Sequence, residues 1–176
     1  QFKVEGQIIK RHPEYNMEDR LHLTRINFEK GTVTIKGKEY PLTDKKLPTV
    51  DPKDPLKLTK EEEELIHNLC MSFKHSVNLQ RHIRFVYSHG ALYKCCHSNL
   101  LYHGCIPMKE NGDFDEIKFN GIIYSGKRML DYIEDAVKMA YFLPDDDTSK
   151  EWYKDLMWYL WCGPKSPVYG KDNMAT

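Results

Sequence analysis

Between residues 59 and 89 the apolar positions fall three or four apart: Ile66, Leu69, Phe73 and Val77, then Leu79, Ile83 and Val86. That spacing predicts an amphipathic helix of about 28–30 residues with a break near 77–79. Thr59-Lys60-Glu61-Glu62 precedes it as a capping box, in which hydroxyl and carboxylate satisfy free amides at the helix start. The acidic run Glu61 to Glu64 lies in the first turn, where the helix dipole favours negative charge, and reads as a solvated cap.

On either side the pattern changes period. Ile26-Asn27-Phe28, Thr32-Val33-Thr34-Ile35 and Glu39-Tyr40-Pro41-Leu42 are short β-prone stretches parted by Lys30-Gly31 and Lys36-Gly37-Lys38, a small meander. Pro48, Pro52 and Pro55 impose an extended connector. Residues 91–107 predict a hairpin: Ala91 to Cys96 goes up, His97-Ser98-Asn99 turns and Leu100 to Pro107 returns as a buried strand. Asn111-Gly112 and Asn120-Gly121 are turn signals, the second between Ile117-Lys118-Phe119 and Ile122-Ile123-Tyr124. A helix starts near Ser125-Gly126, places Met129, Ile133, Val137 and Ala140 on one face, and ends before Pro144. Thr148-Ser149-Lys150-Glu151 is a second capping box. It opens a helix carrying Trp152, Tyr153, Trp158, Tyr159 and Trp161, apolar nearly all round and so expected to be buried on more than one side. The elements define an α+β fold, long capped helices packed on short antiparallel strands. Residues 1–58 form the meander and connector, and residues 59–176 the helix–hairpin–helix–helix portion.

Charge removes some functions from consideration. Lys plus Arg and Asp plus Glu both number 26, a balance that argues against a dedicated nucleic-acid binder. With 40% hydrophobic and 30% charged residues the composition suits a globular protein, and no run approaches the roughly 20 apolar residues of a membrane span. Five cysteines, Cys70, Cys95, Cys96, Cys105 and Cys162, together with no signal-peptide pattern, point to reduced thiols and a cytoplasmic setting. Gln1-Phe2-Lys3-Val4 lacks an initiator Met, and the chain reads as an internal piece of a longer protein.

The densest group of candidate ligands is Cys95, Cys96, His97, His103 and Cys105. Structural zinc needs four converging ligands with paired spacing; Cys95 and Cys96 are adjacent, on opposite faces of a strand, and no second pair follows. Core filling is the ordinary reading for the cysteines. A Cys105–His103 nucleophile pair would lie side by side on a strand, yet nothing supplies an oxyanion hole. His103 reads either as a satisfied core histidine or as a ligand. Gly104 and the strand-ending Cys105-Ile106-Pro107 favour a ligand at an open strand end. His67, His75, His82 and His89 on the long helix have uneven offsets and read as exposed. In the loop after the aromatic helix, Lys165, Ser166 and Lys171 could meet a phosphate; the competing reading is a polar surface loop.

Asn99-Leu100-Leu101-Tyr102-His103-Gly104-Cys105-Ile106-Pro107-Met108 and Trp158-Tyr159-Leu160-Trp161-Cys162-Gly163-Pro164-Lys165-Ser166-Pro167 resemble class III fructose-1,6-bisphosphatases of bacteria. So do Lys10 to Met17, Pro48 to Pro55 and Gly170 to Thr176. The resemblance implies a calcineurin-like metallophosphoesterase β-sandwich with a helical cap and a two-manganese site at strand ends. It implies hydrolysis of fructose 1,6-bisphosphate to fructose 6-phosphate and phosphate in gluconeogenesis. By motif position His103 resembles a metal-ligand histidine of that superfamily, with Cys105 where protein phosphatases carry a second Gly. Lys171 lies about where those enzymes place a phosphate-binding arginine. The superfamily's Asp-x-His, Gly-Asp-x-x-Asp-Arg and Gly-Asn-His motifs do not occur in these residues. The expectation is one metal ligand out of several, an inactive isolated chain, a small sugar bisphosphate as the substrate, and no nucleic-acid or membrane partner. Strand edges left open by absent neighbours would promote self-association. The alternatives are another phosphatase of the superfamily, with a protein or nucleotide substrate, and a non-catalytic interaction domain.

Overall fold

The computed structural model describes residues 5–171, so Gln1 to Val4 and the Asp172–Thr176 part of the last resembling motif lie outside the described residues. The chain divides into two compact units, one running to Arg84 and one from Phe85.

The first unit opens with α1, Glu5–Arg11, a helix too short for its apolar period to be read from sequence; its Ile9 is buried. Three 3-10 turns follow, and Tyr15, Met17 and Arg20 form their buried centre. The His12 ring stacks on Tyr15 at 4.6 Å and its Nδ1 lies 2.9 Å from Glu14. The expected meander is present as β1 (Ile26–Asn27), β2 (Thr32–Ile35) and β3 (Lys38–Pro41), antiparallel in that order. Val33 stands opposite both Ile26 and Tyr40. The β2–β3 turn uses Lys36 and Gly37 at φ 48° and 78°, the left-handed pair that matches strand twist in a two-residue hairpin.

The long helical stretch is two helices, α2 (Lys60–His75) and α3 (Val77–His89), parted at Ser76. Ser76 is extended, and its Oγ accepts from Leu79 N at 3.4 Å, so the break doubles as the cap of the next helix. The capping box forms as expected: Thr59 Oγ accepts from Glu62 N and Glu62 Oε2 accepts from Thr59 N. No residue of either helix is buried, and Leu65, Leu69 and Phe73 at i, i+4 and i+8 are exposed.

In the second unit β4 (Tyr93–Cys96) pairs with β5 (Asn99–Tyr102), and β6 (Glu116–Phe119) with β7 (Ile122–Ser125), as two separate antiparallel hairpins. Asn120-Gly121 turns the second at φ 48° and 80°. Its inward face, Ile117, Phe119 and Tyr124, meets α4 (Gly126–Phe142), whose Met129, Leu130, Ile133 and Ala136 are buried. Helix α5 (Lys150–Cys162) packs on α4. Aromatic rings fill the middle: Tyr132 stacks on Tyr124 at 4.1 Å, and Phe119 meets Tyr159 edge-on at 5.6 Å. Burial there pushes the Tyr132 hydroxyl well above its ordinary pKa, with the neighbouring Tyr124 adding to the effect. The α+β class is as expected.

Several local expectations are corrected. The return strand is neither buried nor long enough to contain the histidine; all four residues of β5 are exposed and it ends at Tyr102. A lone hairpin covers neither of its faces, which is why an apolar sequence there does not mean burial. The cysteines are not mainly core: Cys70, Cys95 and Cys96 are exposed, Cys105 is half-buried and only Cys162 is buried. The second capping box does not form: the N-cap of the helix is Ser149, one residue past Thr148, and its amide (2.8 Å) and hydroxyl (2.6 Å) both go to Asp147 Oδ1. Helix α5 buries Leu156, Tyr159, Leu160 and Cys162, whereas Trp161 is 54% exposed.

Candidate functional site

Helix α5 ends at Gly163, whose amide donates to Tyr159 O, closing the last turn. A Cβ at Gly163 would collide with Tyr159 O and with the Tyr159 ring, so only glycine lets the chain leave so close to the buried tyrosine. The Tyr159 hydroxyl then accepts the Lys165 amide at 3.3 Å. From there the loop folds back on itself, with Ser166 N donating to Gly163 O and Gly170 N to Ser166 O.

Residues 103–105 dock on this loop. Cys105 N donates to Pro167 O at 2.9 Å, and the Cys105 thiol lies 3.6 Å from Ser166 O. Gly104 has φ +76°, and a Cβ there would run into the Pro167 carbonyl oxygen. That left-handed residue ends the strand alternation. His103 and Cys105 therefore do not share a face: His103 is exposed, whereas Cys105 is half-buried against the loop. Burial raises the Cys105 thiol pKa, which keeps it protonated at neutral pH and ill suited to act as a nucleophile.

The loop residues differ in what they can offer a phosphate. Ser166 is 1% exposed, and its Oγ donates to Leu160 O and accepts from Val168 N and Tyr169 N, so the hydroxyl is engaged as a structural anchor. Lys165 Nζ is 2.9 Å from Asp115 and 3.1 Å from Glu116 O, tying the loop to the start of β6. The Asp115 carboxyl is held below its ordinary range, chiefly by that hydrogen bond from Lys165. Lys171 is exposed at the last described position.

Among the described residues no group of three His, Cys, Asp or Glu is placed to hold a metal ion. His103 fits as a single accessible imidazole donor, but the described residues do not fit a metal pair by themselves. No helix among the described residues is long and apolar enough to cross a membrane.

The two segments joined here are those on which the family resemblance rests. Residues 1–176 match the family model described as Firmicute fructose-1,6-bisphosphatase, and the chain belongs to that family. Among individual relatives, class 3 fructose-1,6-bisphosphatases of Clostridium novyi and Clostridium tetani are each 53% identical over 176 residues, all of this chain. That of Bacteroides fragilis is 47% identical over the same span. The chain covers 26%, 27% and 26% of these proteins respectively, so it spans about a quarter of their length. No solved structure gives a significant match.

Sequence reasoning found both segments and missed their union. The backbone bond from Cys105 to Pro167 crosses 62 positions and involves no side-chain chemistry that a motif would display. Gly104 was the available signal, since a glycine directly after a strand marks close backbone approach.

Proposed function

We propose that this chain is the His103-bearing quarter of a manganese-dependent fructose-1,6-bisphosphatase, a cytoplasmic enzyme of gluconeogenesis that hydrolyses fructose 1,6-bisphosphate to fructose 6-phosphate and phosphate. The observation that carries the reading is the match over all 176 residues to relatives bearing that name. His103 would give one imidazole to a metal pair whose other ligands lie outside the described residues. Such a pair, when bound, supplies an activated water and neutralises charge on the phosphoryl oxygens. The protein's own part is to present that imidazole from a fixed backbone, with Gly104 and Cys105 locked on the loop behind it. Lys171, exposed beyond Gly170, is the stronger candidate to meet a substrate phosphate. Lys165 is the weaker one, because Asp115 already holds its ammonium. We also propose self-association of the isolated chain through the edges of its short sheets, which present unpaired backbone groups.

The test is phosphate release from fructose 1,6-bisphosphate in the presence of manganese. A polypeptide of the relatives' length that carries this chain should be active, and His103→Ala should lower kcat/KM at least 100-fold. The 176 residues alone should release no phosphate and bind no stoichiometric manganese. Wild-type activity in the His103→Ala protein would overturn the ligand role, and turnover by the isolated chain would overturn the division of the site.

A further inference from the structure

We infer that Ser166 is a positioning residue that sets the place of His103 through the backbone, without touching it. The inference deepens the function proposed above and rests on that reading for its catalytic consequence. The connection is a continuous set of bonds. Ser166 Oγ donates to Leu160 O (2.5 Å) in the last turn of α5, and the same oxygen accepts from Val168 N and Tyr169 N (both 3.2 Å). One hydroxyl thus satisfies three backbone groups and fixes the fold of the 166–169 turn on the helix end.

That turn in turn presents two carbonyls. Pro167 O receives Cys105 N at 2.9 Å, and Ser166 O lies 3.6 Å from the Cys105 thiol. Gly104 comes so close to Pro167 O that no side chain fits between them. His103 is the residue directly before this clamp, and it has no burial of its own to hold it. Its backbone position is therefore set from behind, by a loop 63 positions further along whose 166–169 turn the buried Ser166 hydroxyl ties to the helix end, beside the backbone bonds Ser166 N to Gly163 O and Gly170 N to Ser166 O. The Gly163 closure and the Tyr159 hydroxyl bond to Lys165 N secure the loop's root. Neither of these bonds holds the Val168 and Tyr169 amides, which go to the Ser166 hydroxyl.

The experiment is amide hydrogen exchange by NMR on the 176-residue chain, comparing the unsubstituted protein with Ser166→Ala, Ser166→Thr and Gly104→Ala. In Ser166→Ala, exchange at the Val168, Tyr169 and Cys105 amides should rise at least tenfold while amides inside α4 keep their protection. Ser166→Thr keeps the hydroxyl and should restore much of the protection at Cys105. Gly104→Ala breaks the clamp from the other side: Cys105 should lose protection while Val168 and Tyr169 retain theirs. An unchanged Cys105 rate in Ser166→Ala, with Val168 and Tyr169 released, would overturn the inference. If Ser166→Ala unfolds the chain, the Gly104→Ala pattern decides it, since simultaneous loss at Val168 and Tyr169 would contradict the stated direction of control. In the longer active polypeptide, Ser166→Ala should lower kcat with KM within twofold, and Ser166→Thr should recover most of it. Failure of the parent reading looks different: His103→Ala would then leave activity intact whatever the exchange rates.

Discussion

Lys165 is held at two points, its amide by the Tyr159 hydroxyl and its ammonium by Asp115 and the Glu116 carbonyl. Because Asp115 has a depressed pKa in the folded chain, the pair stabilises the fold above the carboxyl's unfolded pKa of about 3.9. That contribution is lost as pH falls through the lower folded value. The lysine side chain is 44% exposed, so solvent screening limits the pair to roughly 0.5 kcal/mol at neutral pH. Lys165→Met should move the Asp115 carbon-13 titration upward, towards the ordinary range. It should cost about that much stability at pH 7 by urea unfolding and nothing below pH ~2. At this scale the sequence was a partial guide. A serine in a Gly/Pro loop looks the same whether it faces solvent or the helix end, so the anchoring role of Ser166 was not legible. Gly104 was legible as a place of close approach, but the sequence assigned the room to a ligand and the Pro167 carbonyl occupies it.

Two stretches with the same capping pattern have different outcomes, and the comparison explains why elements were more legible than their ends. At Thr59 the box closes, the hydroxyl taking the Glu62 amide and the Glu62 carboxylate the Thr59 amide. At Thr148 the helix begins one residue later, with Ser149 at the N-cap, and Asp147 holds the Ser149 amide and hydroxyl so that no side chain caps α5. The Ser149 hydrogen bonds also lower the Asp147 pKa. Thr59→Ala should therefore cost about 1 kcal/mol of α2 stability and speed exchange at the Glu62 amide. Thr148→Ala should change α5 by less than ~0.5 kcal/mol in the same measurement. The apolar period of α4 was legible because one face meets the inward face of the β6–β7 hairpin, with Met129 and Ile133 fully covered. In α2 the same period predicts the helix but says nothing about burial, and Leu65, Leu69 and Phe73 are half or more exposed.

For the whole molecule, the α+β class followed from alternating periods, whereas the covering of its surfaces could not be read at all. Hydrophobic pattern reports that a face is meant to be dry and not which chain dries it. Exposed Leu100, Leu101 and Tyr102 on the β4–β5 hairpin have that character, as do the exposed apolar residues of α2, in a chain that spans 26% of its Clostridium novyi relative. Light scattering coupled to size exclusion should find species larger than a monomer, increasing with concentration. A strictly monomeric chain at high concentration would count against open edges as a driving force. The candidate site was legible as two motifs and illegible as one place, because contact between them is made mainly to backbone carbonyls, by the Cys105 amide and thiol.

The two hairpins of the second unit turn on different residues, and this sets what each turn costs. Asn120-Gly121 suits the left-handed turn, but His97 and Ser98 must both adopt positive φ, 49° and 63°, without a glycine. Side chains in that region cost roughly 1 kcal/mol or more each. The β6–β7 turn therefore closes at little conformational cost, while β4–β5 depends more on its strand pairing and neighbouring contacts to hold its turn. The hairpin that leads to His103 should therefore show the faster amide exchange of the two, a difference that hydrogen exchange on the chain would read.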